Sequence, residues 1–118
     1  MCDIGAVMKK RYLATLQVRE FIATQPTGIQ AEYVKLVERI ETDGYVIEPF
    51  GKKLDRNLFE MRLRRGRQVR VVYFYHTSNR VIGVHAFVKK TQQTPLRELA
   101  QARRVKRGIE EGDYDEEG

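Results

Sequence analysis

Three neighbouring stretches in the middle of the chain decide its fold: LFEMRL at residues 58–63, VRVVYFY at residues 69–75 and VIGVHAFV at residues 81–88. In the first stretch apolar and charged residues alternate, which is the period of a strand with one buried face. The second is a continuous run of β-branched and aromatic residues, which favours a central strand covered on both faces. The third predicts another strand. Because turn residues at 65–67 and 78–79 separate the three stretches, they predict an antiparallel meander.

Helical periodicity precedes this meander. The apolar residues within 16–22 fit a short helix that ends before Pro26, because a residue ahead of proline is disfavoured in the helical conformation. Apolar residues recur at helical spacing within 29–40 and predict a second helix, closed by Gly44. The two helices, joined by a short link, form a hairpin.

Local signals place the remaining helix ends. Thr27 precedes Gln30 by three residues, which is the capping-box spacing at the start of the second helix. Thr94 and Pro95 are expected as the N-cap and the first residue of a last helix that ends near Gly108.

The chain length of 118 residues leaves room for one core. We therefore expect one α+β domain over residues 1–109, in which an N-terminal helical hairpin lies on a small antiparallel sheet and a C-terminal helix follows. Residues 4–13 add a short edge strand or an ordered arm, and Gly83 marks a bulge or a close contact in the third strand. Residues 110–118 carry six carboxylates and predict a disordered acidic tail.

Composition excludes several classes of protein. The chain is 42% hydrophobic and 32% charged, and it contains no apolar run of the roughly 18 residues that a membrane span needs. The N-terminus does not read as a signal peptide, so we expect a cytoplasmic protein. The single cysteine, Cys2, allows neither an internal disulfide nor a cysteine-based metal site.

The charge is strongly segregated along the chain. Residues 50–109 carry 16 basic and 3 acidic residues, whereas residues 110–118 carry 6 acidic residues and no basic one. Such a basic block predicts a polyanionic partner, either RNA or DNA or an acidic protein. The alternative is a basic surface that only interacts with water.

The predicted strand over residues 57–65 places charged side chains on one face. If Phe59 and its alternate neighbours are buried, Glu60, Arg62 and Arg64 share the opposite face. Residues two apart on a strand are about 6.6 to 6.8 Å apart, so the two arginines can follow the phosphates of a single strand. Arginines placed there for solubility would give the same pattern.

Arg70 differs because it begins the most apolar strand. Two interpretations remain open at this point: a salt bridge to a carboxylate such as Glu60 on the neighbouring strand, or a binding site for phosphate. His85 lies inside another apolar strand, where a satisfied core histidine is the commoner outcome, and His76 falls at a turn. No metal triad, nucleophile elbow or glycine-rich phosphate loop is visible.

Four motifs together resemble a known family. They are KKL at residues 52–54, LFEMR at 58–62, VRVVYFY at 69–75 and HAFVKKTQQTP at 85–95. These motifs resemble the RelE/ParE superfamily of toxins, and within it the phage-derived HigB-type branch.

The resemblance implies a RelE-like fold and the toxin of a type II toxin–antitoxin module. Such a toxin is a ribosome-dependent endoribonuclease that cuts mRNA in the decoding site. Its implied partners are the ribosome, mRNA and a cognate antitoxin, in this branch usually a helix-turn-helix protein. We expect no metal, no small-molecule cofactor and no membrane partner.

The same resemblance suggests the site residues. Cleavage without metal needs an acceptor for the 2′-hydroxyl proton, stabilisation of the phosphorane and a donor for the leaving 5′-oxygen. We assign Arg62 and Arg70 to the phosphorane. The proton-transfer candidates are Lys89, Lys90 and His85. The residues expected to hold flanking phosphates or ribosomal RNA are Lys52, Lys53 and Arg64.

Other functions fit the same residues. A ParE-like toxin would use this fold to bind DNA gyrase without catalysis, and a plain nucleic-acid-binding module would also carry a basic face. The basic face is also compatible with holding an acidic antitoxin segment.

Overall fold

The computed structural model describes residues 9–77 and 79–112. Within them the chain forms five strands and three helices: β1 (Arg11–Ala14), α1 (Leu16–Ala23), α2 (Thr27–Asp43), β2 (Gly51–Asp55), β3 (Leu58–Leu63), β4 (Val69–Thr77), β5 (Arg80–Val88) and α3 (Leu96–Glu110). No helix among these residues is both long enough and apolar enough to cross a membrane.

The five strands form one sheet in the order β1-β5-β4-β3-β2. Strands β3 to β5 form the expected antiparallel meander. Strand β2 extends it antiparallel to β3 at one edge, and β1 lies parallel to β5 at the other edge. Part of residues 4–13 is therefore an edge strand, and residues 4–8 lie outside the described residues. Strand β2 was not predicted, because its sequence GKKLD is too short and too polar to show a period.

The two faces of the sheet are covered differently. Helices α1 and α2 lie on one face, which we call the hairpin face, and α3 lies on the other, which we call the α3 face. The hairpin face buries Val18, Ile29 and Ile40 of the helices against Met61 and Val71 of the strands. This arrangement confirms the small single α+β domain.

Neither of the two predicted side-chain caps is present. Helix α2 begins at Thr27 after Pro26, without a side-chain cap. The side-chain amide of Gln30 donates to the carbonyl oxygens of Ala23 and Gln25. The capping box is therefore absent because Gln30 ties α2 to the end of α1.

The start of α3 also differs from the prediction. Pro95 rather than Thr94 is its N-cap, and the hydroxyl of Thr94 instead reaches across to Glu60. A tertiary hydrogen bond has replaced the local one. The predicted end of α2 is confirmed, since Gly44 follows it with φ of 90°.

Gly83 provides both features that its position suggested. The register of β4 and β5 shifts where Val72 faces His85 and Tyr73 faces Gly83, which is a bulge. A Cβ atom at Gly83 would lie 2.1 Å from the hydroxyl of Tyr12, so glycine leaves room for the Tyr12 side chain at this position.

Helix α3 extends to Glu110, beyond the predicted end near Gly108. Most of the predicted acidic tail, residues 113–118, lies outside the described residues, as does Ser78 of the predicted turn at 78–79.

Candidate active site

A buried carboxylate surrounded by basic side chains lies on the α3 face. Glu60 is only 1% exposed, and its Oε2 accepts a hydrogen bond of 3.1 Å from Nε of Arg62. Nε of Arg70 lies 3.8 Å from the same oxygen, and the Thr94 hydroxyl donates to Oε1 at 3.4 Å. We call Glu60, Arg62, Arg70 and the neighbouring Lys89 the Glu60 cluster.

The strand register explains why these side chains meet. Arg62 on β3 faces Arg70 on β4, and Glu60 faces Val72 two positions away along the same strands. Because side chains two apart point to the same face, all three charged residues project toward α3. Two guanidiniums placed side by side repel each other, and the carboxylate of Glu60 offsets that repulsion.

Arg70 is held almost entirely by protein groups. Its Nη1 donates to the carbonyl oxygen of Val69 at 3.2 Å and its Nη2 to Oε1 of Gln68 at 3.3 Å. Its Nε is buried without a hydrogen bond, beside Glu60. The structure thus shows Arg70 in an ion pair with Glu60, which is one of the two interpretations that the sequence left open. Burial lowers the pKa of Arg70. The negative charge of Glu60 raises this pKa, and the positive charges of Arg62 and Arg64 lower it further.

Arg62 has a different arrangement. Its Nε is bonded to Glu60, its side chain is 17% exposed, and its two Nη atoms have no hydrogen-bond partner among the described residues. Because the anchored Nε fixes the guanidinium plane, the Nη edge remains available to an anion.

Lys89 and Lys90 follow β5 directly, next to Arg70. A surface depression of about 480 Å³ is lined by Arg70, both lysines, Gln68, Thr91 and Gln92. Burial lowers the pKa of Lys89; the carboxylate of Glu60 opposes this, and the positive charges of Arg70, Arg62 and Lys52 lower the pKa further. A lysine in such surroundings loses its proton more readily than a solvated one.

Lys52 and Lys53 do not share a surface, contrary to the sequence interpretation. Lys52 faces Glu60 across β2 and β3, whereas Lys53 faces Phe59 and holds its Nζ 6.0 Å from the ring centroid on the hairpin face. The alternation of a strand, which was not predicted here, separates them.

Arg64 follows the end of β3, which is shorter than the predicted strand over residues 57–65. Its side chain is exposed and donates from Nη2 to the carbonyl oxygen of Pro49 at 3.3 Å. It is close enough to Arg70 to lower the pKa of that guanidinium.

His85 is also separate from the Glu60 cluster. Its Nε2 lies 2.7 Å from Oε1 of Glu98 in the first turn of α3, and its ring stacks on Phe87. Val72 of β4 stands between His85 and Glu60 in the same cross-strand row. His85 is thus half-buried and has a hydrogen-bond partner, as a satisfied histidine would.

Two contacts at the Glu60 cluster had no role in the sequence interpretation. Thr94 was expected as a helix cap, and Gln68 drew no attention although it lies two residues before Arg70. The only available signal was that Gln68 and Arg70 are two residues apart, which is the spacing of side chains on one face of a strand. Among the described residues no group of three or more His, Cys, Asp or Glu side chains could hold a metal ion.

Comparison with known proteins shows to which family the chain belongs. The family model described as "Phage derived protein Gp49-like (DUF891)" matches residues 20–107, which include α2, strands β2 to β5 and the whole Glu60 cluster. No curated protein matches the chain at significant similarity. The chain belongs to the Gp49-like family of phage-derived proteins, which lies within the RelE/ParE-like toxin superfamily of toxin–antitoxin systems.

Proposed function

We propose that this protein is a ribosome-dependent endoribonuclease of the HigB-type branch and the toxin of a type II toxin–antitoxin module. Toxins of the Gp49-like family are generally of the ribonuclease type, and the family implies a cognate antitoxin. One observation carries the proposal: a guanidinium with two unbonded Nη atoms is anchored beside a lysine of lowered pKa.

The proposed reaction uses the RNA's own nucleophile. The 2′-hydroxyl loses its proton and attacks the adjacent phosphorus, and a dianionic phosphorane forms. The bond to the 5′-oxygen then breaks and that oxygen takes up a proton, which leaves a 2′,3′-cyclic phosphate and a 5′-hydroxyl. The protein has to supply an acceptor, a donor and positive charge.

Arg62 supplies the positive charge that touches the phosphorane. Its Nη edge can bind two nonbridging oxygens while Glu60 keeps the guanidinium in place. Arg70 adds positive charge from its buried position beside Glu60. A direct contact between Arg70 and the phosphate would require it to exchange its bond to Gln68.

Lys89 is our choice for the general base. Its surroundings lower its pKa, so a larger fraction is neutral and able to accept a proton near physiological pH. Lys90, exposed on the rim of the same depression, is our choice for the general acid. His85 would have to leave Glu98 to take part, so we place it third.

Lys52 and Arg64 would bind phosphates on either side of the scissile one. Lys52 lies opposite Glu60 on β2, and Arg64 follows β3, so both border the cluster. We no longer assign this role to Lys53, because it lies on the hairpin face. With so few groups available, in-line positioning of the mRNA is left to the ribosome.

The alternative is a ParE-like toxin that binds DNA gyrase. A binding surface requires exposed charge but no lysine of lowered pKa next to an anchored arginine. The arrangement of Lys89 and Arg62 therefore favours the nuclease.

Induction of the chain in a bacterial host separates the two functions. We expect protein synthesis to stop within minutes, with new mRNA 5′ ends inside translated regions. The same host should recover when a helix-turn-helix antitoxin encoded beside the gene is co-expressed. Continued protein synthesis together with gyrase-linked DNA breaks would instead support the ParE-like function.

A further inference from the structure

The outward side of α3 carries a row of arginines. Ala102 and Ile109 bury the inner side of this helix against the sheet. At about 100° per residue, Arg97, Arg104 and Arg107 point to the opposite side. Arg97 is 84% exposed. We call these three arginines the α3 arginine track.

The acidic residues near this track leave most of its charge uncompensated. The Nε of Arg97 lies 3.9 Å from Oε2 of Glu98, whose other oxygen is bonded to His85. Among the described residues, Arg104 bonds only to the neutral side chain of Gln101. Within residues 9–77 and 79–112, neither Arg104 nor Arg107 has a carboxylate partner.

The track is continuous with the candidate active site. The depression next to Arg70 and a second one of about 790 Å³ share Lys90, Thr91 and Gln92, and the second extends along the loop to Arg97. An RNA strand bound at the Glu60 cluster can therefore extend over Lys90 to α3 along connected surface depressions.

The dimensions and the residue type fit an RNA backbone. Arg97 and Arg107 are ten residues apart, which is about 15 Å along the helix axis, enough for about two or three extended nucleotides. Guanidiniums bind phosphates bidentately, whereas lysines act as point charges. The residue between Arg97 and Arg104 on this side is Ala100, which leaves room for a close approach.

We infer that the α3 arginine track binds the sugar–phosphate backbone of the substrate RNA, a few nucleotides away from the bond that is cut. The inference rests on the proposed function for the identity of the strand. It adds a second binding surface with no catalytic residue, so that substrate strands are held at two places.

Binding of uncleavable RNA tests the track. The probe is a single-stranded 2′-O-methyl oligonucleotide, which lacks the attacking hydroxyl, in lengths of about 3 and about 12 nucleotides. The variant is Arg104→Gln/Arg107→Gln, and the matched control Lys35→Gln/Arg39→Gln removes the same charge from exposed positions of α2, across the sheet.

For the longer oligonucleotide we expect the track variant to bind roughly ten-fold more weakly than the control variant. The slope of log K against log salt should fall by about 1.4, or about 0.7 per lost phosphate contact. The short oligonucleotide, which reaches only the Glu60 cluster, should bind both variants equally.

Equal affinity of the two variants for the longer oligonucleotide would overturn the inference that the α3 arginine track binds RNA. A clear preference for duplex RNA of the same length would overturn its assignment to the substrate strand. Neither result depends on cleavage, so failure of the track and failure of the nuclease proposal can be told apart: cleavage on ribosomes is measured separately.

Discussion

Neighbouring residues on the same strands form two very different surfaces. On the hairpin face, Met61, Val71 and Ala86 make one apolar cross-strand row, and all three are buried. One residue further along, on the α3 face, the row consists of Arg62, Arg70 and Phe87.

Helix coverage explains the difference. Two helices cover the hairpin face, so apolar side chains exclude water there. Helix α3 alone covers the opposite face and starts only at Leu96, after a loop that leaves the end of β3 and β4 to polar groups. One sheet therefore separates its tasks by face: the hairpin face buries the larger apolar cluster, and the α3 face holds charged groups where β3 ends and β4 begins.

The largest expected effect on stability comes from breaking the charged row at Arg70. Arg70→Ala leaves the carboxylate of Glu60 buried with one partner fewer and should cost about 3 to 5 kcal/mol of unfolding free energy. Arg67→Ala, at an exposed site that donates to Gln25, is the matched control and should cost less than about 1 kcal/mol. Thermal and urea unfolding measure both.

A double-mutant cycle with Glu60→Gln sharpens this result. If Arg70 and Glu60 act as a pair, the double variant should be clearly more stable than the sum of the single losses predicts. Additive losses would mean that Arg70 is held by Gln68 and Val69 alone.

The apolar row is tested by Met61→Ala. This side chain is fully buried on the hairpin face, so its loss should cost about 2 to 5 kcal/mol. Because it faces away from the Glu60 cluster, cleavage per folded molecule should stay within about two-fold of the natural protein. A selective loss of cleavage would show that the two faces are not separate.

The third prediction concerns the pH dependence of cleavage. If Lys89 is the base, the rate rises with pH as Lys89 loses its proton. Glu60 raises the pKa of Lys89, so Glu60→Gln should lower that pKa and move the rising limb to lower pH. The pH–rate profile of single-turnover cleavage measures the shift. A shift to higher pH, or none, would remove Lys89 from the role of base.

The smallest effect is expected from the acidic end of the chain. Deleting residues 113–118 removes four carboxylates that follow the basic helix α3 in the sequence. We expect stronger nonspecific RNA binding at low salt and a change in stability of at most about 1 kcal/mol, since exposed ionic contacts are weak. A large fall in melting temperature would show that these residues support the fold.

Much of the fold could be predicted because its signals are local. The alternation at residues 58–63 and the apolar runs that follow specify strands without reference to the rest of the chain. Strand β2 was missed because five mostly polar residues show no period, and this also misplaced Lys53.

The candidate site was predictable only in part because its contacts join distant segments. That Glu60 and Arg62 share a face follows from alternation, but the distance from Glu60 to Arg70 depends on the register of β3 and β4. The bond between Thr94 and Glu60 and that between His85 and Glu98 depend on where α3 crosses the sheet. No local pattern contains that information.

Arg62→Ala, measured for stability and for mRNA cleavage on ribosomes in parallel, tests most directly whether the Glu60 cluster is catalytic. We expect single-turnover cleavage per folded molecule to fall roughly 10²- to 10³-fold, as for the loss of one electrostatic donor. The unfolding free energy should fall as well, because Arg62 donates a hydrogen bond to the buried carboxylate of Glu60. Arg67→Ala should cleave normally. If Arg62→Ala cleaves as fast as the natural protein while remaining folded, the Glu60 cluster is a structural ion-pair network and not an active site.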